Sequence, residues 1–197
     1  DAEAKAVFFD ASSEEATRAS GGARALPRIG VGTLEGSDAT GDWETLLAGP
    51  ASPLQTAADA EDLSLMLYTS GTTGKPKGVP RRHRQERAAA LAHVAQNLYR
   101  RGERTLGVMP LYHTMGVRSL LAMALVDGVF VCMPRFDTQE ALALMEAERL
   151  TCLYLVPTLY HDLLTQRERA GHGSGPGPEI ASVKKLGFAG APMHDAL

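Results

Sequence analysis

Residues 68–79 read Tyr-Thr-Ser-Gly-Thr-Thr-Gly-Lys-Pro-Lys-Gly-Val, and they follow directly on the apolar run Leu63-Ser64-Leu65-Met66-Leu67. These twelve positions hold three glycines, three threonines, a serine and two lysines. Neither a helix nor a strand favours that mixture in its interior, because glycine adds backbone entropy cost and proline removes a donor. A loop that wraps an anion does favour it. Glycines let the backbone approach closely, successive amides and hydroxyls turn inward, and a lysine adds a point charge. The stretch therefore reads as a polyphosphate cradle between strand-like pieces, with a flexible Gly/Thr linker as the alternative.

The stretch departs from the Walker A pattern G-x-x-x-x-G-K-[ST] at two places. Counting back from Gly74-Lys75, the first glycine would have to stand where Thr69 stands, and Pro76 replaces the magnesium-binding hydroxyl. Pro76 also removes an amide where a phosphate-cradling helix would begin. The expectation is a loop that grips phosphates with hydroxyls and Lys77.

These residues resemble the phosphate loop of the adenylate-forming enzymes, a family that includes acyl- and aryl-CoA synthetases, firefly luciferase and peptide-synthetase adenylation domains. The family string [YF]TSGTTG-x-PKGV is met at every fixed position from Tyr68 to Val79. The resemblance implies that Thr69, Ser70, Gly71, Thr72, Thr73, Gly74 and Lys77 hold ATP, with Lys77 offsetting charge on the leaving pyrophosphate. It further implies Mg2+ as the companion of ATP and coenzyme A as co-substrate, with no metal ligand in this chain.

Two further stretches extend the resemblance. Met109-Pro110-Leu111-Tyr112-His113 is similar to the family's PLYH segment, whose histidine lies between acyl pocket and nucleotide. That makes His113 a candidate catalytic residue. The alternative is a histidine at a strand end that satisfies a backbone carbonyl. Gly187-Phe188-Ala189-Gly190-Ala191-Pro192 is similar to the family's G-[GAS]-[AE]-P turn, which would put Gly190, Ala191 and Pro192 beside the nucleotide and acyl groups. An ordinary strand-to-helix turn with Pro192 at the first helical position fits the same residues. Val156-Pro157-Thr158 adds candidate wall residues on the same grounds. The remaining histidines, His83, His93, His161, His172 and His194, read as surface groups.

The rest of the chain supplies the frame. Short apolar runs at residues 6–9, 28–31, 104–109, 128–133, 151–156 and 185–189 alternate with helical patterns. Those patterns begin at a Ser12-Ser13-Glu14-Glu15 capping box, at Asp42, and after Pro157. They also cover residues 82–101, 115–126 and the stretch capped by Asp137. In the 82–101 helix, Ala88, Leu91, Ala92, Ala95 and Leu98 lie at roughly helical spacing. Residues 171–178, GHGSGPGP, are a loop. The fold class implied is α/β, a largely parallel multi-stranded sheet flanked by helices on both faces. In such sheets ligands sit beyond the carboxyl ends of the strands, where residues 69–77, 111–114 and 190–192 fall.

Composition narrows the function. Of the 197 residues, 44% are hydrophobic and 22% charged, enough for a real core. The net charge of −3 argues against nucleic acid as a partner. The arginines at 81, 82, 84, 87, 100, 101 and 104 lack interleaved aromatics and read as a solvated face. The longest central apolar run, residues 120–126, is too short to cross a bilayer. Cys132 and Cys152 read as buried free thiols in a cytoplasmic protein.

By its resemblance the chain is an incomplete portion of the large domain of an adenylate-forming enzyme, closest to aryl- and acyl-CoA ligases such as those for benzoate or 4-chlorobenzoate. Residues 1–60 would end a first α/β subdomain and lead into a second at 61–197, with the C-terminal mobile domain absent. The intact protein would activate a carboxylic acid (aryl, alicyclic or short to medium acyl) as its adenylate and pass it to coenzyme A. The 197-residue chain alone would be inactive and would expose unpaired sheet edges. Two alternatives stand beside this: a nucleotide-binding module without ligase activity, and a non-catalytic interaction fragment.

Overall fold

The computed structural model describes residues 3–34, 36–50, 57–69, 74, 76–171 and 180–193. The chain divides into two compact units, Asp1–Ala58 and Asp59–Leu197. In the first, β1 (Val7–Phe9), β2 (Arg28–Gly30) and β3 (Gly41–Asp42) form a parallel sheet in that order. The helices α1 (Glu14–Ala19), α2 (Gly21–Arg24) and α3 (Trp43–Ala48) connect or follow them. Phe9 is buried, while its neighbour Phe8 meets Trp43 edge to face at 5.8 Å.

Asp42 caps α3 by accepting from the Thr45 amide at 2.8 Å. The capping box expected at Ser12–Glu15 does not form. Ser13 donates its hydroxyl to Asp10 Oδ1 at 2.7 Å instead, and its side chain makes no cap bond. The hydroxyl oxygen in turn accepts from the Asp10 amide at 3.2 Å rather than from a helix amide.

The second unit opens with an antiparallel hairpin of β4 (Leu63–Thr69) and β5 (Lys77–Arg82). It continues through α4 (His83–Gln96), β6 (Arg104–Gly107), α5 (Thr114–Leu125), β7 (Val129–Cys132) and α6 (Thr138–Ala147). β8 (Cys152–Leu155), α7 (Pro157–Gly171) and β9 (Lys185–Phe188) complete it. Strands β7, β6, β8 and β9 lie side by side in that order, all parallel.

The two-residue period of the strands sorts the core into two faces. Leu106, Leu153 and Leu155 pack with Ala141, Leu142, Met145 and Leu163 from α6 and α7. Cys152 packs with Ala122, Met123, Val126 and Tyr99 on the side of α5. Helices thus cover both faces, as the alternating pattern predicts. Each fully buried leucine here contributes roughly 2–3 kcal/mol. Among the described residues no helix is long and apolar enough to cross a membrane.

At the amino ends of the strands, buried Glu103 accepts from the Lys185 ammonium and the Thr151 hydroxyl. It also accepts from the Arg100 amide at 3.1 Å. Burial pushes the Glu103 carboxyl up, but those hydrogen bonds and the ammonium outweigh it and hold the group below the usual carboxylate range. The cluster ties together the segments that open β6, β8 and β9.

Four expectations are corrected in this unit. Helix α4 ends at Gln96 rather than near Arg101, because Leu98 takes a left-handed φ of 53°. The Tyr99 amide then bonds back to the Val94 carbonyl at 3.0 Å and the Leu98 amide to Ala95 at 3.3 Å, the double closure of a Schellman turn. The face α4 buries is also not the alanine–leucine stripe. Glu86, Ala90 and His93 are inside, whereas Leu91 and Leu98 are exposed. Ion-pair and hydrogen-bond partners override hydropathy at Glu86 and His93. His93 is accordingly no surface group, while Cys132 is exposed at the end of the edge strand β7.

Candidate functional site

Thr69 and Lys77 are the last register pair of the hairpin, so they flank the mouth of the loop between its strands. Both side chains are exposed. Gly74 has φ +77°, a backbone state open to glycine at little cost, and a Cβ there would meet nothing within 4 Å. Ser70, Gly71, Thr72, Thr73 and Lys75 lie outside the described residues. Lys77 opens a strand rather than a helix. The Walker arrangement, in which lysine stands at a helix start, is therefore replaced by a strand–loop–strand frame.

The hairpin is anchored at its far end. Arg81 forms an ion pair with buried Glu86 and donates from Nη1 to Thr114 Oγ1 at 3.4 Å. Arg82 and Arg84 are engaged by Glu61, with Arg84 Nε 2.6 Å from its carboxylate. Arg101 meets Asp127 at 2.8 Å. Much of the arginine cluster is thus paired with acids.

Thr114 begins α5, and His113 is its N-cap. The imidazole accepts from the Met115 amide at Nδ1, 3.3 Å away. This polarity is the reverse of a histidine that satisfies a backbone carbonyl, and in the neutral ring it leaves Nε2 carrying the proton. Gly116 explains how close the helix start comes to the preceding loop. A Cβ there would lie 2.3 Å from the carbonyl oxygens of Met109 and Pro110.

Gly190 follows β9 with φ +89°, and its Cβ position lies 3.2 Å from Val156, the residue that follows β8. Ala191 and Pro192 are exposed beyond it. Pro157 starts α7, a position where its missing N–H costs nothing. Because β6, β8 and β9 are parallel neighbours, the segments holding His113, Val156 and Gly190 leave the sheet along one edge. Among the described residues no hydrogen bond or ion pair joins Lys77 directly to His113 or to residues 190–192. No three His, Cys, Asp or Glu side chains among them group as a metal site.

A cavity of about 440 Å³ lies beside this edge, between α4, α5 and the strands β8 and β9. Ala89, Ala92, His93, Arg118, Tyr154 and Phe188 are among its lining. His93 packs against Tyr154 at 4.4 Å and edge-on to Tyr99 at 5.4 Å. Burial, reinforced by the Arg118 charge, lowers its pKa from 6.5 to about 4, so the ring is neutral near pH 7. Sequence reasoning missed His93 and Arg118. The available signal was positional: Glu86, Ala90, His93 and Asn97 recur at four- and three-residue steps along one helix face.

Comparison with known proteins bears on the whole chain. The family model described as AMP-binding enzyme matches residues 1–197. The chain is 37% identical over 142 residues to 4-chlorobenzoate–CoA ligase of Pseudomonas sp. (strain CBS-3), covering 71% of this chain and 26% of that protein. It is 33% identical over 138 residues to the chloroplastic/peroxisomal 2-succinylbenzoate–CoA ligase of Arabidopsis thaliana, covering 70% and 24%. The chain thus spans about a quarter of the length of these curated relatives. Among solved structures, the luciferase-like enzyme of the Zophobas morio mealworm superposes with a TM-score of 0.76 at 20% identity, over 98% of this chain and 44% of that one. ATP-bound MatB from Rhodopseudomonas palustris does so with a TM-score of 0.64 at 29% identity, over 81% and 31%. With its full length matched, the chain belongs to the AMP-binding enzyme family.

Proposed function

We propose that this chain supplies the phosphate loop and part of the acid pocket of an AMP-forming acid–CoA ligase. The observation that carries the reading is the hairpin mouth between Thr69 and Lys77, tied through Arg81 and Thr114 to the helix that His113 caps. In the reaction a carboxylate oxygen attacks the α-phosphorus of ATP, the bond to pyrophosphate breaks, and the thiol of coenzyme A then displaces AMP from the acyl-adenylate.

Little covalent work falls to the protein in the first step. It aligns the reactants and neutralises charge developing on the leaving group. Ser70, Thr72 and Thr73 donate hydroxyl hydrogen bonds to phosphate oxygens beside Thr69, and Lys77 offsets their charge. Gly71 and Gly74 let the backbone come close. His113, with its ring held by the Met115 amide, presents Nε2–H toward the acid. Gly190, Ala191 and Pro192 border the nucleotide, where a side chain at Gly190 would intrude. Magnesium would travel with the ATP phosphates, and no ligand for it is assigned in this chain.

Relatives acting on 4-chlorobenzoate and 2-succinylbenzoate favour an aryl acid as substrate. A cytoplasmic setting belongs to the same proposal. The test is acid-dependent exchange of labelled pyrophosphate into ATP by the intact protein. Exchange that appears only with an aryl or acyl carboxylate is expected, whereas ATP binding without exchange for any acid overturns the reading.

A further inference from the structure

Two donors at the cavity between α4 and α5 have no acceptor. Asn97 Nδ2 donates to the His93 carbonyl at 2.9 Å, which fixes the amide orientation, and also contacts His93 Nδ1 at 3.1 Å. Nδ1 is therefore the acceptor of the ring and Nε2 carries its proton. His93 is 95% buried, being 5% exposed, and its Nε2 has no hydrogen-bond partner. Arg118 Nε is buried and likewise unpartnered, and among the described residues no carboxylate pairs with the Arg118 guanidinium. Both residues line the same cavity, and no acidic residue does.

Buried donors left without acceptors are costly, and native proteins rarely keep them unless something else supplies the acceptor. With His93 neutral, Arg118 is the only charge on the cavity wall among the described residues. A planar guanidinium with a free edge matches a carboxylate. An apolar acid would leave both donors unsatisfied, whereas an acid with an anionic far end would satisfy them.

We propose that this cavity takes the far end of the acid and selects substrates bearing a second carboxylate, held by Arg118 and His93. This rests on the acid-ligase reading above. Arg118 lies five residues along α5 from His113, a rise of about 7 Å, and Phe188 precedes Gly190 by two residues. The cavity therefore adjoins the segments at which that reading activates the acid, and a second carboxylate at the acid's far end would meet Arg118 there.

The experiment compares kcat/KM for pyrophosphate exchange by the intact protein with benzoate against benzene-1,4-dicarboxylate, and with hexanoate against hexanedioate. The diacids are expected to be favoured by about tenfold or more, since a site built to bind a polar group rejects the analogue without it. Arg118→Gln should collapse that ratio about tenfold or more and Arg118→Lys should restore part of it. His93→Gln gives a second, independent drop in the ratio. A misfolded variant loses both substrates together, so in that case the wild-type ratio decides. Exchange with monoacids and no diacid preference overturns the subsite and spares the ligase reading. Exchange with no acid at all removes both.

Discussion

Arg81 donates from Nη1 to Thr114 Oγ1 at 3.4 Å while its Nε pairs with the buried carboxylate of Glu86. One side chain thus fastens the hairpin bearing Lys77 to α4 and to the start of α5, where His113 sits. The hairpin is thereby held from the end opposite its mouth.

Removing that side chain should be felt in stability. Arg81→Ala leaves Glu86 buried and uncompensated, at a cost of about 2–3 kcal/mol, the low end for a broken buried pair because Arg81 is partly exposed. The double variant Arg81→Met/Glu86→Leu should recover most of it. Denaturant unfolding of the two proteins measures this, and an Arg81→Ala midpoint equal to wild type would show the pair to be idle.

The end of α4 offers a substitution in the other direction. Leu98 closes the helix with φ 53° while 75% exposed, so it carries left-handed backbone cost and loses little packing if removed. Leu98→Gly should stabilise the protein by about 1 kcal/mol. Arg149 ends α6 in the same way, with the Leu150 amide bonded to the Met145 carbonyl at 3.1 Å, and Arg149→Gly serves as a second instance. Thermal melts that fall for both would count against the strain assignment.

These helix ends also mark what sequence reading could and could not reach. Strand and helix order followed from alternation of apolar runs, and Asp42 and Asp137 cap the helices they precede. The Schellman turns carry leucine, aspartate and arginine where glycine would signal a stop, so the end of α4 was invisible until Leu98 was seen in its left-handed state. The buried face of α4 was hidden for a related reason. Hydropathy ranks Glu86 and His93 as outward, and only their partners Arg81 and Asn97, one of them on β5, make burial tolerable. The motif positions, by contrast, were legible because each is a short string set at a strand end.

His93 gives the fold a pH signature. Its pKa is about 4 in the native state against 6.5 for a free ring, so between those values the unfolded chain binds a proton that the native chain does not. The stability it contributes is complete above about pH 6.5 and is lost as pH falls toward 4, in total on the order of 3 kcal/mol. His93→Gln should flatten unfolding free energy across that window relative to wild type. Parallel wild-type and variant curves would show that His93 does not titrate there.

Substitution can separate the cap that His113 forms on α5 from the role proposed for it beside the acid. As N-cap it contributes about 1 kcal/mol to α5, which His113→Ala loses and His113→Asn keeps, because asparagine also accepts from the helix amides. If Nε2 faces the acid, both variants lower pyrophosphate exchange while only one lowers stability. Full exchange in His113→Asn would reduce His113 to a cap.

The most direct measurement is pyrophosphate exchange by Lys77→Ala in the intact protein, with the acid that the wild type uses best. Lys77 stands at the hairpin mouth opposite Thr69, and loss of one such donor to a leaving group removes about 10²-fold or more of rate. A fall of that size in kcat/KM, with the melting temperature unchanged, is the predicted result; exchange at the wild-type rate would contradict the phosphate-gripping role of the hairpin.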